Sequence, residues 1–466
     1  MPRFFVLVLI VAKLFSFGII LKIFFMKAYI YTLGCRVNQS ESMMIADSLA
    51  SLGVEISSAP EDADLMVVNS CALTESAEAK TRRAIKDFRR KNPNAKICAT
   101  GCYAQTNAQS LREVGVGLIV SNARKSDVPR LAYEFVLSGR AEQSEYFNSQ
   151  NAEARFLEKL NYSQKDLGFL GDTPVSDRAN LKIQDGCDNA CAYCIIPRAR
   201  GLPRSRSVED IVNDAENLAS RGVAEIILTG INLSKFSGSL ASLANSINSI
   251  QGIKRIAFGS IEPPVKEVEI LCAMMKDPSH KLARHFHISL QSACSKTLKN
   301  MGRKYGVGDF FGMVDFIKST DENIGIGTDV ICGFPEESEE DFEETFENIK
   351  KSKLNFLHVF TYSPRPGTLA ALKPQIPMPI RKRRSDALRV LGETLKRKFF
   401  ESQEGREEFV LLENRLPSGV YLGYASNYVQ TAVKIGKSGL KNQMCRVKIG
   451  TPIGSGRVKA EFLELV

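Results

Sequence analysis

Short apolar runs rich in β-branched residues alternate with stretches of helical period along most of this chain. Residues 28–33, 65–68 and 95–100 are apolar runs of strand length, and each leads into a helix-like pattern, clearest over 78–91. Strand then helix, repeated, predicts a small doubly wound parallel sheet over 26–137. Residues 138–177 are polar, carry few strand signals and read as a linker. Over 178–402 apolar runs recur at 181–183, 225–228, 255–258, 286–289, 324–330 and 356–360, with helical patterns between them, notably 208–221 and 339–352. That is a series of six β/α units. Residues 404–466 alternate short apolar strands with Gly and Asn turns, the pattern of a small all-β barrel. Residues 1–25 stand apart: an apolar extension interrupted by Lys13, Ser16 and Lys22. A start codon assigned upstream of Met26 is the expected reading and a membrane anchor the alternative; no small-residue cleavage site marks a secretory signal.

Composition narrows the class. A chain of 466 residues suggests about three domains, and 44% hydrophobic content is ordinary for a globular protein. The formal charge of +10 favours a polyanionic partner. Eleven cysteines in such a chain point to a reducing cytoplasm and metal ligation rather than a disulfide framework.

The cysteines carry the chemistry. Cys187, Cys191 and Cys194 stand at C-x3-C-x2-C spacing, with Tyr193 before the last. Three thiolates this close hold three irons of an iron–sulfur cube and leave the fourth open to a substrate or cofactor. A zinc knot asks for a fourth Cys or His nearby, and the nearest histidine is His280; a disulfide pair with a spare thiol is the other alternative. Cys35, Cys71 and Cys102 each follow one of the first three apolar runs, at the turn from strand to helix. In an open α/β sheet those turns line one crevice, so three cysteines distant in sequence are expected to meet at a second cluster. Cys98, inside the third strand, is expected in the core.

This combination resembles the radical S-adenosylmethionine (SAM) methylthiotransferases, from Met26 to the end. Further matching stretches are Leu-Thr-Gly-Ile-Asn-Leu from Leu228, Ser-Ile-Glu-Pro from Ser260, His-Ile-Ser-Leu-Gln-Ser from His287, Asp-Val-Ile-Cys-Gly-Phe-Pro from Asp329 and Tyr-Ser-Pro-Arg-Pro-Gly-Thr from Tyr362. The resemblance implies an α/β protein: an N-terminal doubly wound parallel sheet, a central partial (β/α)6 radical SAM barrel and a small C-terminal all-β RNA-binding barrel called TRAM. It implies two [4Fe-4S] clusters, one per cysteine set, and two SAM molecules per product. One SAM donates methyl to sulfur held at the Cys35/Cys71/Cys102 cluster; the other, at the Cys187/Cys191/Cys194 cluster, supplies a radical that attacks an unactivated C–H bond. Candidate SAM contacts are Tyr193, Thr229, Asn232, Ser260, Glu262, Gln291 and Asp329; for each, capping of the next helix is the structural alternative. His287 and His358 read as core or orienting groups. An electron donor such as flavodoxin or ferredoxin and a sulfur donor are the implied partners besides tRNA. Ala293 stands where the family usually has Gly, and Thr361 where it has Pro.

Gly-Cys-Arg-Val-Asn-Gln around Cys35 resembles the branch acting on N6-threonylcarbamoyladenosine at tRNA position 37. The isopentenyladenosine branch and the ribosomal-protein aspartate branch carry other residues there and are the alternatives. Charge agrees with RNA: residues 371–400 hold nine basic side chains, Arg381, Lys382, Arg383 and Arg384 among them, against Asp386 and Glu393. Arg446 and Lys448 are further candidates in the C-terminal domain, where Tyr421, Tyr424 and Tyr428 are interleaved for base stacking. Arg198, Arg200, Arg204 and Arg206 are expected to guide a nucleotide or the SAM carboxylate. A non-catalytic iron–sulfur RNA-binding protein is the alternative from another class; a plain radical SAM methyltransferase would not need the first cysteine set.

Overall fold

The computed structural model describes residues 26–138, 168–169, 178–454 and 456–466. The apolar extension 1–25 and nearly all of the linker 138–177 lie outside the described residues. The chain divides into two compact units. One takes residues up to Pro174 together with Ile196–Gly201; the other takes Val175–Ile195 and Leu202–Val466. The expected boundary near residue 403 therefore does not separate compact units, and the segment Ile196–Gly201 leaves the β/α domain in which its sequence position placed it.

In the first unit β1 (Lys27–Thr32), β2 (Glu55–Ile56), β3 (Leu65–Ser70), β4 (Lys96–Gly101) and β5 (Leu118–Ile119) form a wholly parallel sheet in the order β2-β1-β3-β4-β5. Every residue of β3 is buried, as an apolar run covered on both faces requires. Helices Arg36–Ser51, Glu75–Lys91 and Val128–Ser138 follow β1, β3 and β5. The helix Glu75–Lys91 begins where the Thr74 side chain accepts a hydrogen bond from Ala77 N, and it ends on Arg89, Arg90 and Lys91, matching its dipole. Ile45, Leu49, Val67, Leu118, Leu131 and Phe135 share the core with Cys98, as expected for that cysteine. Strand order reverses between β1 and β3. Such a switch point opens a crevice at the carboxyl ends of the strands.

The second unit contains β6 (Arg178–Lys182), β7 (Gln184–Asp185), β8 (Arg204–Ser205), β9 (Glu225–Thr229), β10 (Arg255–Phe258), β11 (Ser260–Ile261), β12 (His285–Ile288), β13 (Gly325–Cys332) and β14 (Phe356–Thr361). Parallel ladders run β6-β9-β10 and β11-β12-β13-β14. Only Gly259 separates β10 from β11, so six strands form one partial barrel wall. Ile326, Thr328 and Val330 of β13 are fully buried, and Leu357 and Thr361 of β14 face the helix Met378–Ser402, where Thr361 Oγ1 lies 2.8 Å from Ser385 Oγ. The alternate residues Asp329 and His358 therefore face the inside of the barrel. The antiparallel ladder β7/β8 was not foreseen: two residues per strand leave no periodicity to read.

Finally β15 (Glu407–Arg415), β16 (Val420–Ala425), β17 (Gln430–Lys434), β18 (Met444–Ile453) and β19 (Arg457–Leu465) close into a barrel in the order β15-β16-β17-β19-β18. Its core joins Val410, Leu412, Val433 and Val447 to Phe399 and Phe400 of the preceding helix. The β16–β17 tip sits against the amino ends of the β/α strands. Tyr428 stacks on His285 at 4.1 Å and accepts a hydrogen bond from Arg178 Nη2 at 2.9 Å, while Arg255 Nη1 donates to Tyr424 O at 2.7 Å. Behind them the fully buried Glu225 pairs with Arg255 at 2.8 Å and Arg178 at 3.2 Å. Tyr421, buried in the small barrel, donates from its hydroxyl to Lys437 O. These three tyrosines were expected to stack on bases; internal packing occupies them instead, because an aromatic body with a polar tip suits a wet–dry boundary inside a protein as well. Among the described residues no helix is long and apolar enough to cross a membrane.

Candidate metal centres

In the first unit the crevice is built by three strand ends. Cys35 follows β1, Cys71 follows β3, and Cys102 begins the short helix Cys102–Thr106 after β4. The residue before two of them is a glycine at positive φ: Gly34 at 120° and Gly101 at 97°. A Cβ at Gly101 would overlap the Ser70 backbone, and one at Gly34 would come within 3.0 Å of Cys71 Cβ. These turns aim the thiols into one space, where the charge of Cys102 acts on Cys35 and Cys71 and that of Cys35 on Cys71. Burial pushes the Cys71 thiol up to about 12, with smaller upward contributions from Cys102 and Cys35, and burial likewise raises Cys35. Thiols so placed stay protonated unless a cation takes the proton's place. Donors already point at sulfur: Leu73 N lies 3.5 Å from Cys71 Sγ and Arg200 Nε 3.3 Å from Cys102 Sγ.

In the second unit the β7/β8 ladder forms the neck of the loop carrying Cys187, Cys191 and Cys194. Arg204 Nη2 closes it on Asp185 Oδ2 at 2.6 Å. Gln184 fixes the exit by donating to Asp185 O and Gly186 O at 2.9 and 2.8 Å and accepting from Asn232 N at 2.8 Å. The sulfurs again receive donors: Asn189 N to Cys187 at 3.5 Å, Asn232 Nδ2 to Cys187 at 3.9 Å and Arg303 Nη1 to Cys191 at 3.1 Å. Burial raises the Cys187 thiol as well. Among the described residues the one group of three ligands tight enough for a single ion is His287, Asp329 and His358. Neither cysteine set is so tight. Cysteines that each bind a different iron of a cube stand farther apart than ligands of one zinc, so both sets fit a cluster better than a zinc knot.

The candidate SAM contacts divide. Asn232 and Glu262 meet beside Cys187: Asn232 Nδ2 and Asn189 Nδ2 both donate to Glu262 Oε2 at 2.6 Å. Arg303 bridges Glu262 Oε1 at 2.5 Å, Cys191 Sγ and Tyr193 Oη at 3.3 Å. Its Nε donates to Tyr305 Oη at 3.0 Å. Tyr193 packs edge-on to Phe334, and burial raises its phenol. Thr229 ends β9 and is buried; Ser260, exposed in β11, lies in register with His287. Gln291 takes a left-handed φ of 73° while its backbone joins β13 through Asp329 O and Ile331 N, both at 2.8 Å. Asp329 is engaged otherwise than expected: its Oδ1 accepts from His287 Nε2 at 3.0 Å and lies 3.5 Å from His358 Nδ1. Hydrogen bonds from both imidazoles hold its carboxyl well below the usual range although burial opposes them. Sequence reasoning missed Arg303, Tyr305 and Asn189, and read the two histidines as core or orienting groups. The run Met-Gly-Arg-Lys-Tyr at 301–305 has no pattern that marks a ligand.

The basic candidates also divide. Arg381 and Arg384 are 5% and 4% exposed. Arg381 donates to Ile376 O at 2.6 Å and Tyr362 O at 3.0 Å, and Arg384 pairs with Glu337 at 2.7 Å. These two fasten the helix Met378–Ser402 to the barrel and present nothing to phosphate, a correction forced by the i, i+3 spacing that puts both on the packed face. Lys382 and Lys448 are exposed; Arg383 pairs with Glu339 at 2.7 Å, and Arg446 with Glu407 at 3.0 Å and Glu464 at 2.8 Å. Of the arginines after the cysteine loop, Arg204 and Arg206 pair with Asp185 and Asp214, and Arg200 with Glu41, rather than awaiting a nucleotide.

A partial barrel of six parallel strands with three cysteines on the loop after its first strand defines the radical SAM class, and the family model of the Radical SAM superfamily matches residues 181–349. A second model, described as Uncharacterized protein family UPF0004, matches residues 27–120. A Threonylcarbamoyladenosine tRNA methylthiotransferase MtaB of Aquifex aeolicus is 36% identical over 408 residues, 85% of this chain and 96% of the relative. Its namesake in Bacillus subtilis is 32% identical over 442 residues, 92% and 95% of the two chains. A tRNA-2-methylthio-N(6)-dimethylallyladenosine synthase of Helicobacter pylori is 33% identical over 402 residues, 84% and 88%. The chain belongs to the radical SAM tRNA methylthiotransferase family, whose members are enzymes that use SAM and [4Fe-4S] clusters. The solved radical SAM methyltransferase TsrM of Kitasatospora setae, with cobalamin and a [4Fe-4S] cluster bound, shares the fold at TM-score 0.54 and 13% identity over 74% of this chain and 77% of that one.

Proposed function

We propose that this chain methylthiolates carbon 2 of N6-threonylcarbamoyladenosine at position 37 of tRNA. The observation that carries the substrate choice is the polar inner wall formed by His287, Asp329 and His358. The His358 side chain is 60% exposed there, with a carboxylate and a second imidazole beside it. A threonylcarbamoyl substituent brings a carboxylate, a hydroxyl and amide groups that such a wall can satisfy. An isopentenyl group would bury these polar atoms against hydrocarbon, at a cost of about 1–3 kcal/mol for each one left unpaired. The Gly-Cys-Arg-Val-Asn-Gln sequence around Cys35 supports the same branch.

In this reading Cys187, Cys191 and Cys194 hold the cluster that binds SAM, and Cys35, Cys71 and Cys102 hold the auxiliary one. When bound, the first supplies the radical and the second the sulfur, since no side-chain base could ionise an adenine C2–H. The protein's own residues orient. Arg303, Asn189 and Asn232 fix Glu262 beside Cys187, where its carboxylate would hold the SAM amino group. Thr229, Ser260 and Gln291 stand at neighbouring strand ends as further contacts. Exposed Lys382 and Lys448 meet tRNA phosphates. A flavodoxin or ferredoxin and a sulfur donor complete the cycle, and the cytoplasm is the compartment where tRNA and reduced clusters coexist.

Mass spectrometry of tRNA nucleosides from cells with and without the gene tests this. The 2-methylthio form of N6-threonylcarbamoyladenosine should vanish on deletion. Loss of the 2-methylthio-isopentenyl nucleoside instead would assign the chain to the other branch, and loss of neither would reject the tRNA reading.

A further inference from the structure

Arg200 lies six residues beyond Cys194 in sequence, yet it belongs to the compact unit that contains Cys35, Cys71 and Cys102. It is the largest fully buried side chain of the protein's described residues, at 0% exposure. Its guanidinium is divided among three residues on two helices, Arg36–Ser51 and Cys102–Thr106. Nε donates to Cys102 Sγ at 3.3 Å, Nη1 to Glu41 Oε1 at 2.8 Å, and Nη2 to Asn38 Oδ1 at 2.6 Å and Glu41 Oε2 at 3.2 Å.

Both acceptors beyond the sulfur are themselves tied to the cysteine turns. Asn38, one helical turn after Cys35, donates to Leu33 O at 2.8 Å and Ser70 O at 3.0 Å, the backbone just before Cys35 and Cys71. Its Oδ1 also lies 3.8 Å from the Cys35 thiol. Glu41 accepts from Lys125 Nζ at 2.9 Å, and Lys125 reaches Asn69 Oδ1 at 3.1 Å. Asn69 in turn donates to Asn38 O at 2.9 Å. One hydrogen-bonded set thus touches all three cysteine turns, and Arg200 is the member that reaches a sulfur with a full charge.

A buried cation is costly unless anions surround it. Its N–H aimed at a cysteine sulfur is the arrangement that favours thiolate over thiol and electron-rich over electron-poor cluster. Hydrogen bonds to sulfur and net charge are the levers by which a protein sets a cluster's potential.

We infer that Arg200 is a positioning residue of the auxiliary cluster: through Cys102 it raises the cluster's reduction potential, and through Asn38 and Glu41 it holds the three cysteine turns in register. The inference rests on the assignment of Cys35, Cys71 and Cys102 as cluster ligands. Glu41, the counter-charge on the same guanidinium, acts with the opposite sign.

The test uses full-length protein with Cys187, Cys191 and Cys194 changed to Ala, reconstituted anaerobically, so that any remaining cluster is the auxiliary one. Iron per chain is measured, and the reduced cluster is titrated against potential by electron paramagnetic resonance. This background should hold four irons, as one cubane requires. A background without iron refutes the ligand assignment and, with it, the role given to Arg200. On that background Arg200→Gln should shift the midpoint to a more negative potential, at least tenfold in the reduced-to-oxidised ratio, about 59 mV for one electron. Glu41→Gln should shift it the other way, and Arg200→Lys should recover part of the loss. Opposite shifts support the inference, because a purely structural pair would move both variants alike or neither. Unchanged midpoints in Arg200→Gln and Glu41→Gln, with iron retained, overturn it. Should Arg200→Gln fail to fold, Glu41→Gln decides alone: an upward shift supports the role and an unmoved midpoint refutes it.

Discussion

His358 shows how far one side chain can decide a substrate. It projects from β14 into the barrel with Asp329 beside it. If it faces the threonylcarbamoyl group, His358→Ala should lower methylthiolation of that nucleoside by tenfold or more, about 1.4 kcal/mol, while formation of 5′-deoxyadenosine without substrate stays near the parent rate. An equal loss of both would place His358 in SAM binding instead. The basic run at 381–384 holds a similar contrast between neighbours. Lys382→Glu with Arg383→Glu should weaken tRNA binding and reduce the slope of log K against log salt, because each lost phosphate contact removes about 0.9 from that slope. Arg381→Glu should instead destabilise the fold, since it places a carboxylate against Tyr362 O and Ile376 O where donors now sit. Filter binding over a salt series, with thermal unfolding alongside, separates the two. A flattened slope in folded Arg381→Glu would contradict its burial.

At the scale of elements, the strand-to-helix turns matter more than the strands. Gly101→Ala puts a Cβ into the Ser70 backbone at a φ of 97°, so the turn delivering Cys102 must move. The protein should lose about half its iron, with the radical SAM cluster retained; undiminished iron would show that the turn tolerates the shift. The helix Val307–Thr320 carries a different strain. Its buried Lys318 donates to Glu322 O at 3.0 Å, Ile324 O at 2.6 Å and Asn355 Oδ1 at 2.8 Å, and burial lowers its pKa to about 8. Between about pH 8 and 10.5 the unfolded chain binds the proton more than the folded one, so stability rises with pH across that window. The gain is fully present above 10.5 and lost as pH falls through 8; it amounts to roughly 3 kcal/mol at most. Denaturant unfolding of the parent and of Lys318→Met should diverge by that increment, and parallel pH profiles would refute it.

For the whole molecule, the C-terminal barrel is more than an RNA-binding appendage. An appendage that served RNA alone could be removed, residues 404–466, without loss of SAM cleavage. The structure predicts otherwise, because Tyr428, Tyr424 and Glu413 cover Arg178, Arg255 and the fully buried Glu225 at the amino end of the β/α strands. Truncation leaves that ion cluster without its cover and should yield insoluble protein or one with no SAM cleavage. The milder Tyr428→Ala removes the stack on His285 and the bond from Arg178, and should lower stability by about 2 kcal/mol. A soluble, SAM-cleaving 1–403 fragment would show that the β/α domain needs no such cover.

The sequence by itself determined the parallel sheet, the six β/α units, the small barrel and both cysteine sets. All of these depend on local spacing: a run of strand length, a helical period after it, and a cysteine at the turn between them. Cys35, Cys71 and Cys102 were legible as a group because topology alone sends such turns to one edge of a sheet. The partners of charged side chains were not legible. Arg200 and Glu41, Arg303 and Glu262, Arg381 and Tyr362 O are brought together by packing across long stretches of chain. A basic residue facing phosphate and one clamping a carbonyl look alike in sequence. Burial separates them, and burial is settled only when the tertiary structure fixes which face of each helix is covered.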